Sequence, residues 1–202
     1  MIHRRTFLGA ALAAGLAAPF AASAQADPAV AFIQKRGEAL TAIVNGDAPV
    51  AQKKQQVERL LSEAVDISGV GRFVVGRYWR TATAEEQREF QRLFHDLLLE
   101  TIAARFGDLK GLKFHVVGGA RGDDESKGVV TTIERPGQAA ANVEWRVADQ
   151  GGALKVVDLI AEGTSMRLTQ RSEYTSVLQR NNGRFEALIA AMKHQLAQLQ
   201  PG

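Results

Sequence analysis

An α+β fold is what this sequence predicts, and three observations carry the prediction. Apolar side chains recur at three- and four-residue steps between residues 28 and 106; between 114 and 160 the period drops to two, and beyond 171 the helical period returns. Helices, then strands separated by turn chemistry, then helices again place helices on one face of a curved antiparallel sheet. The chain of 202 residues contains no cysteine, so packing alone has to hold the fold.

Residues 1–26 read as an address rather than as structure. His3-Arg4-Arg5-Thr6-Phe7-Leu8 has the paired arginines and Phe-Leu of a twin-arginine export signal. The apolar run that starts at Leu8 is too short to span a bilayer and is broken by Gly15 and Pro19, which disfavours the competing reading of a retained anchor. Ala24-Gln25-Ala26 supplies the small-x-small cleavage site, so the mature chain is expected to start at Asp27 and to be periplasmic.

Cleavage leaves 27–202 as one domain, with the formal net charge falling from +3 to +1 as Arg4 and Arg5 depart. The basic balance of the precursor is therefore no argument for nucleic acid. Lys53-Lys54, the longest basic run of the mature chain, sits among glutamines and reads as a solvated helix face. No internal repeat or second hydrophobic segment is visible, and the mature protein is expected to be soluble.

The first helix is expected over 28–44, with Asp27 as N-cap, Pro28 at the first helical position and Asn45-Gly46 as its stop. The second is expected over 49–65, preceded by Asp47 or Ala48. A short helix over 67–79 is weakened by Gly69, Gly71 and Gly76. Thr83-Ala84-Glu85-Glu86 fits the capping box, and a helix is expected over 84–106 with Gly107 ending it. Strands are expected over 114–117, 128–134, 141–147 and 154–160. Gly118-Gly119, Arg121-Gly122-Asp123-Asp124, Pro136-Gly137 and Gln150-Gly151-Gly152 supply the turns. The third strand alternates cleanly, with Val143, Trp145 and Val147 on one face. Two closing helices are expected over 171–181 and 184–198, punctuated by Asn182-Gly183.

Reactive groups are sparse. His95, His115 and His194 stand alone without metal-ligand spacing, and His3 lies in the signal. Neither a Gly-x-Ser-x-Gly elbow nor a phosphate-cradling glycine loop is present. Asp158, set among apolar strand residues with Glu162 just beyond, is the one candidate acid or base. Strict alternation puts Asp158 on the face of Val156 and Ile160, opposite Val157 and Leu159. The structural reading has it capping a helix or pairing with Arg171 or Arg77; the chain is not expected to be an enzyme, and neither metal nor cofactor is expected.

The block Phe73-Val74-Val75-Gly76-Arg77-Tyr78-Trp79-Arg80, followed by Thr83 to Gln87 and Phe90, keeps its order with two later motifs. Those are Glu162-Gly163-Thr164-Ser165-Met166, just behind Val157-Asp158-Leu159, and Arg171-Ser172-Glu173-Tyr174. Together they resemble the MlaC or toluene-tolerance family over nearly the whole mature chain, with Tyr174 where relatives carry Phe and Thr164 where Val is usual. The resemblance implies an NTF2-like sheet joined to a small helical subdomain, with an apolar cavity between them. It also implies a periplasmic phospholipid shuttle that maintains outer-membrane lipid asymmetry. The partners it implies are an outer-membrane lipoprotein–porin complex and an inner-membrane ABC transporter with an MCE-domain protein. The cargo is then a bound phospholipid, with no nucleic acid among the partners. A carrier for hopanoid or another hydrophobic molecule is the near alternative, and a cone-fold enzyme using Asp158 or Glu162 the distant one.

A diacyl lipid crossing water has roughly 30 methylenes to hide, on the order of 20 to 25 kcal/mol of exposed hydrocarbon, so a deep apolar pocket is required. The candidate lining on the helical side is Phe73, Tyr78, Trp79, Phe90, Phe94, Leu97, Leu98 and Ile102. From the sheet come Val143, Trp145, Val147, Val157 and Leu159, and the candidate head-group contacts are Arg77 and Arg80.

Overall fold

The structure, a computed structural model, describes residues 27–123 and 125–200; the expected export signal and its cleavage site lie outside them. Helix α1, Pro28–Asn45, starts as its sequence dictates: the Asp27 side chain accepts the Ala29 N–H at 2.8 Å, and Pro28 needs no partner for an N–H it lacks. Helix α2 is Val50–Ala64, with Pro49 itself at the N-cap position rather than Asp47 or Ala48. Helix α3, Ile67–Val75, is capped by Asp66, whose carboxylate accepts the Gly69 N–H at 2.9 Å. It stops four residues before the expected end because Gly76 turns to φ +55°, and Gly76–Arg80 continues as a tighter 3-10 turn.

Helix α4, Ala84–Ala103, carries the complete capping box at Thr83 and Glu86. It ends three residues short of Phe106, and successive turns carry the chain to Leu112. Burial explains the early stop: Phe106 and Leu112 swing inward to join Val44, Val57 and Leu99 in one apolar cluster, a gain that continued helix would forfeit.

The sheet comprises β1 (Lys113–Val116), β2 (Arg121–Gly122), β3 (Lys127–Glu134), β4 (Ala141–Asp149), β5 (Leu154–Ala161) and β6 (Thr164–Ser165). It is antiparallel throughout, in the order β1-β3-β4-β5-β6, with β2 also on β3. Val129 faces Trp145 across the ladder, Thr131 faces Val143, and Trp145 faces Leu159, so these side chains share one face. Helix α1 covers much of that face through Ala29 and Ile33. Gly37 is essential to the approach, since the Phe114 ring of β1 occupies the space that any Cβ would need.

One departure from strict alternation matters. Arg146 faces Asp158 while Val147 faces Val156, so Val157 is an extra residue in β5, a β-bulge. Asp158 and Val156 therefore do not share a face. Val156 packs with Val147 under α1, and Asp158 turns to the opposite side.

Helix α5, Met166–Arg180, begins five residues earlier than the periodicity indicates, because Ser165 caps it by accepting the Leu168 N–H. Helix α6 is Phe185–Leu199. Helices α3 to α6 and the 3-10 turn build a core of their own around Val74, Phe90, Leu93, Leu178, Leu188 and Met192. The main partners of α4 are α2, α3 and α6, whereas the sheet leans chiefly on α1, α2, α3 and α5.

Candidate functional site

The candidate lining residues fall into four places. Phe73, Tyr78, Trp79, Phe90, Phe94 and Leu97 all belong to the helical core. Phe90 is its hub, fully buried, with ring centroids of Phe185 at 5.6 Å, Phe94 at 5.8 Å, Tyr174 at 6.0 Å and Trp79 at 6.2 Å. Three of these four pairs are edge-on, the arrangement favoured by the ring quadrupole, so here rings meet rings. Trp145 and Val147 join the core under α1, and Ile102 packs with Val44, Val57 and Leu99.

Leu98, Val143, Val157 and Leu159 belong to none of these three clusters. Val143 is buried and the other three are half-buried. Leu98 lies on α4 between Leu97, which faces the helical core, and Leu99, which faces the cluster around Val44. Val143 and Leu159 flank Trp145 on the sheet. These four are apolar, partly or fully buried positions outside the packed clusters, and together they form the candidate seam; elsewhere α4 and the sheet share a cluster in which Leu99 and Ile102 meet Phe114 and Ile133. Beside the seam Trp145 is pinned, its indole N–H donating to the Thr131 hydroxyl at 2.8 Å while that hydroxyl donates to the Val143 carbonyl at 3.1 Å. A fully buried threonine is thereby satisfied, and the sheet side of the seam is rigid.

Two clefts are also present, and neither touches the candidate lining. One, of about 720 Å³, runs between the start of α4 and α6, with Thr83, Glu86, Glu89, Arg184 and Lys193 on its walls. The other, of about 590 Å³, lies between the α2–α3 junction, α4 and the β4–β5 hairpin. Its walls include Asp66, Gln91, Arg92, His95 and Lys155. Lys155 is committed there to structure, donating to the carbonyls of Ser62 and Glu63 at the end of α2.

Arg77 and Arg80 are exposed on the 3-10 turn, with Arg77 stacked over Tyr78 at 5.1 Å and donating to its hydroxyl at 3.1 Å. Two further arginines, not among the head-group candidates, stand on α5. Arg167 and Arg171 both lie against the Phe73 ring, their guanidinium carbons 4.6 and 4.8 Å from its centroid. Their i, i+4 spacing was the available signal, and it is legible only once α5 is known to begin before Arg171.

Asp158 is buried and fully engaged. Its carboxylate accepts the Ser165 hydroxyl at 2.6 Å and the Arg167 backbone N–H at 3.1 Å, with Arg167 Nε at 3.4 Å as an ion pair. The partner is thus Arg167 rather than Arg171 or Arg77. Glu162 sits exposed at the β5–β6 turn with φ +51°, and among the described residues it forms no ion pair. Among the described residues, no three His, Cys, Asp or Glu side chains converge as a metal site.

The MlaC protein family matches residues 34–194, most of the sequence. The chain belongs to the MlaC family. Its fold is similar to that of the phospholipid-binding protein from Ralstonia solanacearum, solved in complex with a phospholipid. The TM-score is 0.74 at 23% identity, over 85% of this chain and 98% of that one. At that identity the likeness is one of fold: a curved antiparallel sheet with a helical subdomain. In this MlaC-family chain Leu98 belongs to the helical part, and Val143, Val157 and Leu159 belong to the sheet.

Proposed function

We propose that this chain is a periplasmic phospholipid carrier and not an enzyme. The observation that carries the reading is the seam. Four apolar residues on α4, β4 and β5 lie outside the three packed clusters, so their apolar surface is not committed to the protein's own cores. Acyl chains are apolar, need no hydrogen bonds and gain about 0.8 kcal/mol per methylene removed from water, so such a surface is where they would insert. In this reading α4 and the sheet part to admit the tails, Leu98 facing them from one side and Val143 and Leu159 from the other. Phe90 and its ring neighbours form the wall behind, and the head group stays at the surface near Arg77 and Arg80. The phospholipid held by the Ralstonia protein of similar fold supports the cargo class.

Family membership supports a location in the periplasm and a route between an outer-membrane lipoprotein–porin complex and an inner-membrane ABC transporter with an MCE-domain protein. Asp158 supports the non-enzymatic side of the proposal, since both its oxygens already serve the start of α5.

The test is native mass spectrometry of protein exported from its own signal, followed by organic extraction. About one phospholipid per chain is expected. A lipid-free, correctly folded preparation overturns the proposal, and a hopanoid in the extract replaces the cargo while leaving the carrier.

A further inference from the structure

We propose that the start of α5, with the arginines stacked on Phe73, is a docking surface for an anionic phospholipid bilayer. Two independent observations meet there. The first is charge. Arg167 and Arg171 share the Phe73 ring, Arg171 reaches on to lie against Gly76, and the exposed Arg72 and Arg77 are the chain neighbours of that ring and that glycine. Among the described residues, Asp158 is the one carboxylate within ion-pair distance of any of these four, and its side chain is only 5% exposed. It matches one cation from the inside and leaves the outward-facing positive charge unmatched.

The second observation is apolar. Met166 and Leu168, on either side of Arg167, are 43% and 56% exposed, unusually open for large hydrophobic side chains. Leu168 lies three residues before Arg171 on the same helix, so its side chain stands beside the guanidinium groups. Exposed apolar anchors among uncompensated arginines complement a bilayer surface, where phosphates meet guanidinium groups and the apolar side chains reach the acyl boundary. A soluble phosphate would satisfy the arginines and leave Met166 and Leu168 in water. The Phe73 ring, packed against the helical core, holds both guanidinium groups in place before contact.

This inference goes beyond lipid carriage and stands whether or not a lipid is carried. Its test is flotation of the full exported protein with vesicles of mixed phosphatidylglycerol and phosphatidylcholine, and with phosphatidylcholine alone, at low and high salt. The protein is expected on the mixed vesicles at low salt and largely off the neutral ones. Arg72→Gln is expected to lower partitioning about fivefold, and Met166→Ser with Leu168→Ser about tenfold or more. All are exposed positions, so melting temperature and native lipid occupancy should stay at wild-type values. Equal binding to neutral and anionic vesicles, or wild-type partitioning by both variants, overturns the proposal. So does binding that appears only when a membrane protein is reconstituted in the vesicle, which would make the surface a protein interface. A lipid-free protein that floats through this surface defeats the carrier reading alone.

Discussion

The Asp158 carboxylate accepts the Ser165 hydroxyl at 2.6 Å, joining β5 to the N-cap of α5. Because the same carboxylate also accepts the Arg167 N–H, it holds the first turn of that helix against the sheet edge. Asp158→Asn keeps the shape but weakens charge-assisted bonds worth about 1.5–3 kcal/mol each. A stability loss of about 2 kcal/mol is expected by urea denaturation, with lipid occupancy unchanged in the folded variant. Loss of occupancy without loss of stability would return Asp158 to the candidate site.

Leu98→Glu and Val143→Asp test the seam directly. A carboxylate facing acyl chains costs several kcal/mol, whereas the flanking cores at Leu97 and Val147 are left intact. Phospholipid per chain, measured by mass spectrometry on material that still melts cooperatively, is expected to fall at least tenfold. Unchanged occupancy in either folded variant removes that residue from the lining.

Phe90 and Tyr174 separate packing from polarity in the helical core. Phe90→Ala should cost about 3–5 kcal/mol, because four neighbouring rings cannot close the space it leaves. Burial pushes the Tyr174 hydroxyl well above its ordinary pKa, with the nearby Glu173 charge adding to the shift. The ring therefore stays neutral, and Tyr174→Phe should alter stability by less than about 1 kcal/mol in denaturant midpoints.

Glu100 makes the fold sensitive to acid. Burial pushes its carboxyl up, but hydrogen bonds from Lys54 and Gln200, with the Lys54 charge, outweigh burial and hold it below the ordinary value. A carboxyl depressed in the folded state stabilises fully above its unfolded pKa, about 4.3, and loses that contribution as pH falls through the folded value. Wild-type stability is expected to drop below that range. Glu100→Gln should be less stable than wild type at pH 7 and show a shallower acid loss; parallel profiles would contradict this linkage.

Local signals were enough for elements whose ends are closed by their own residues. The Thr83–Glu86 box forms both of its bonds, at 3.2 Å for the Glu86 N–H and 2.7 Å for the Thr83 N–H, and Asp27 caps α1 as its position requires. Period-two alternation likewise placed Val143, Trp145 and Val147 on one face, because each strand residue reports its own side. Arg121-Gly122, expected in a turn, pair with β3 as β2, and Thr164-Ser165 pair as β6; two residues are too few to show a period.

Chain-local chemistry thus settles where helices start and which strand face is apolar, for it depends on neighbours only three or four residues away. Contacts distant in the chain settled the rest. The Val157 bulge and the early end of α4 at Ala103 each follow from a partner elsewhere in the molecule, the β4 ladder and the cluster around Val44, and the local Ser165 cap of α5 is itself held by Asp158 of β5. The division of one greasy helix face into a ring-filled core at Phe90 and a seam at Leu98 is of the same kind. Periodicity records that a side chain avoids water, and only the packed molecule shows whether protein already stands on its other side.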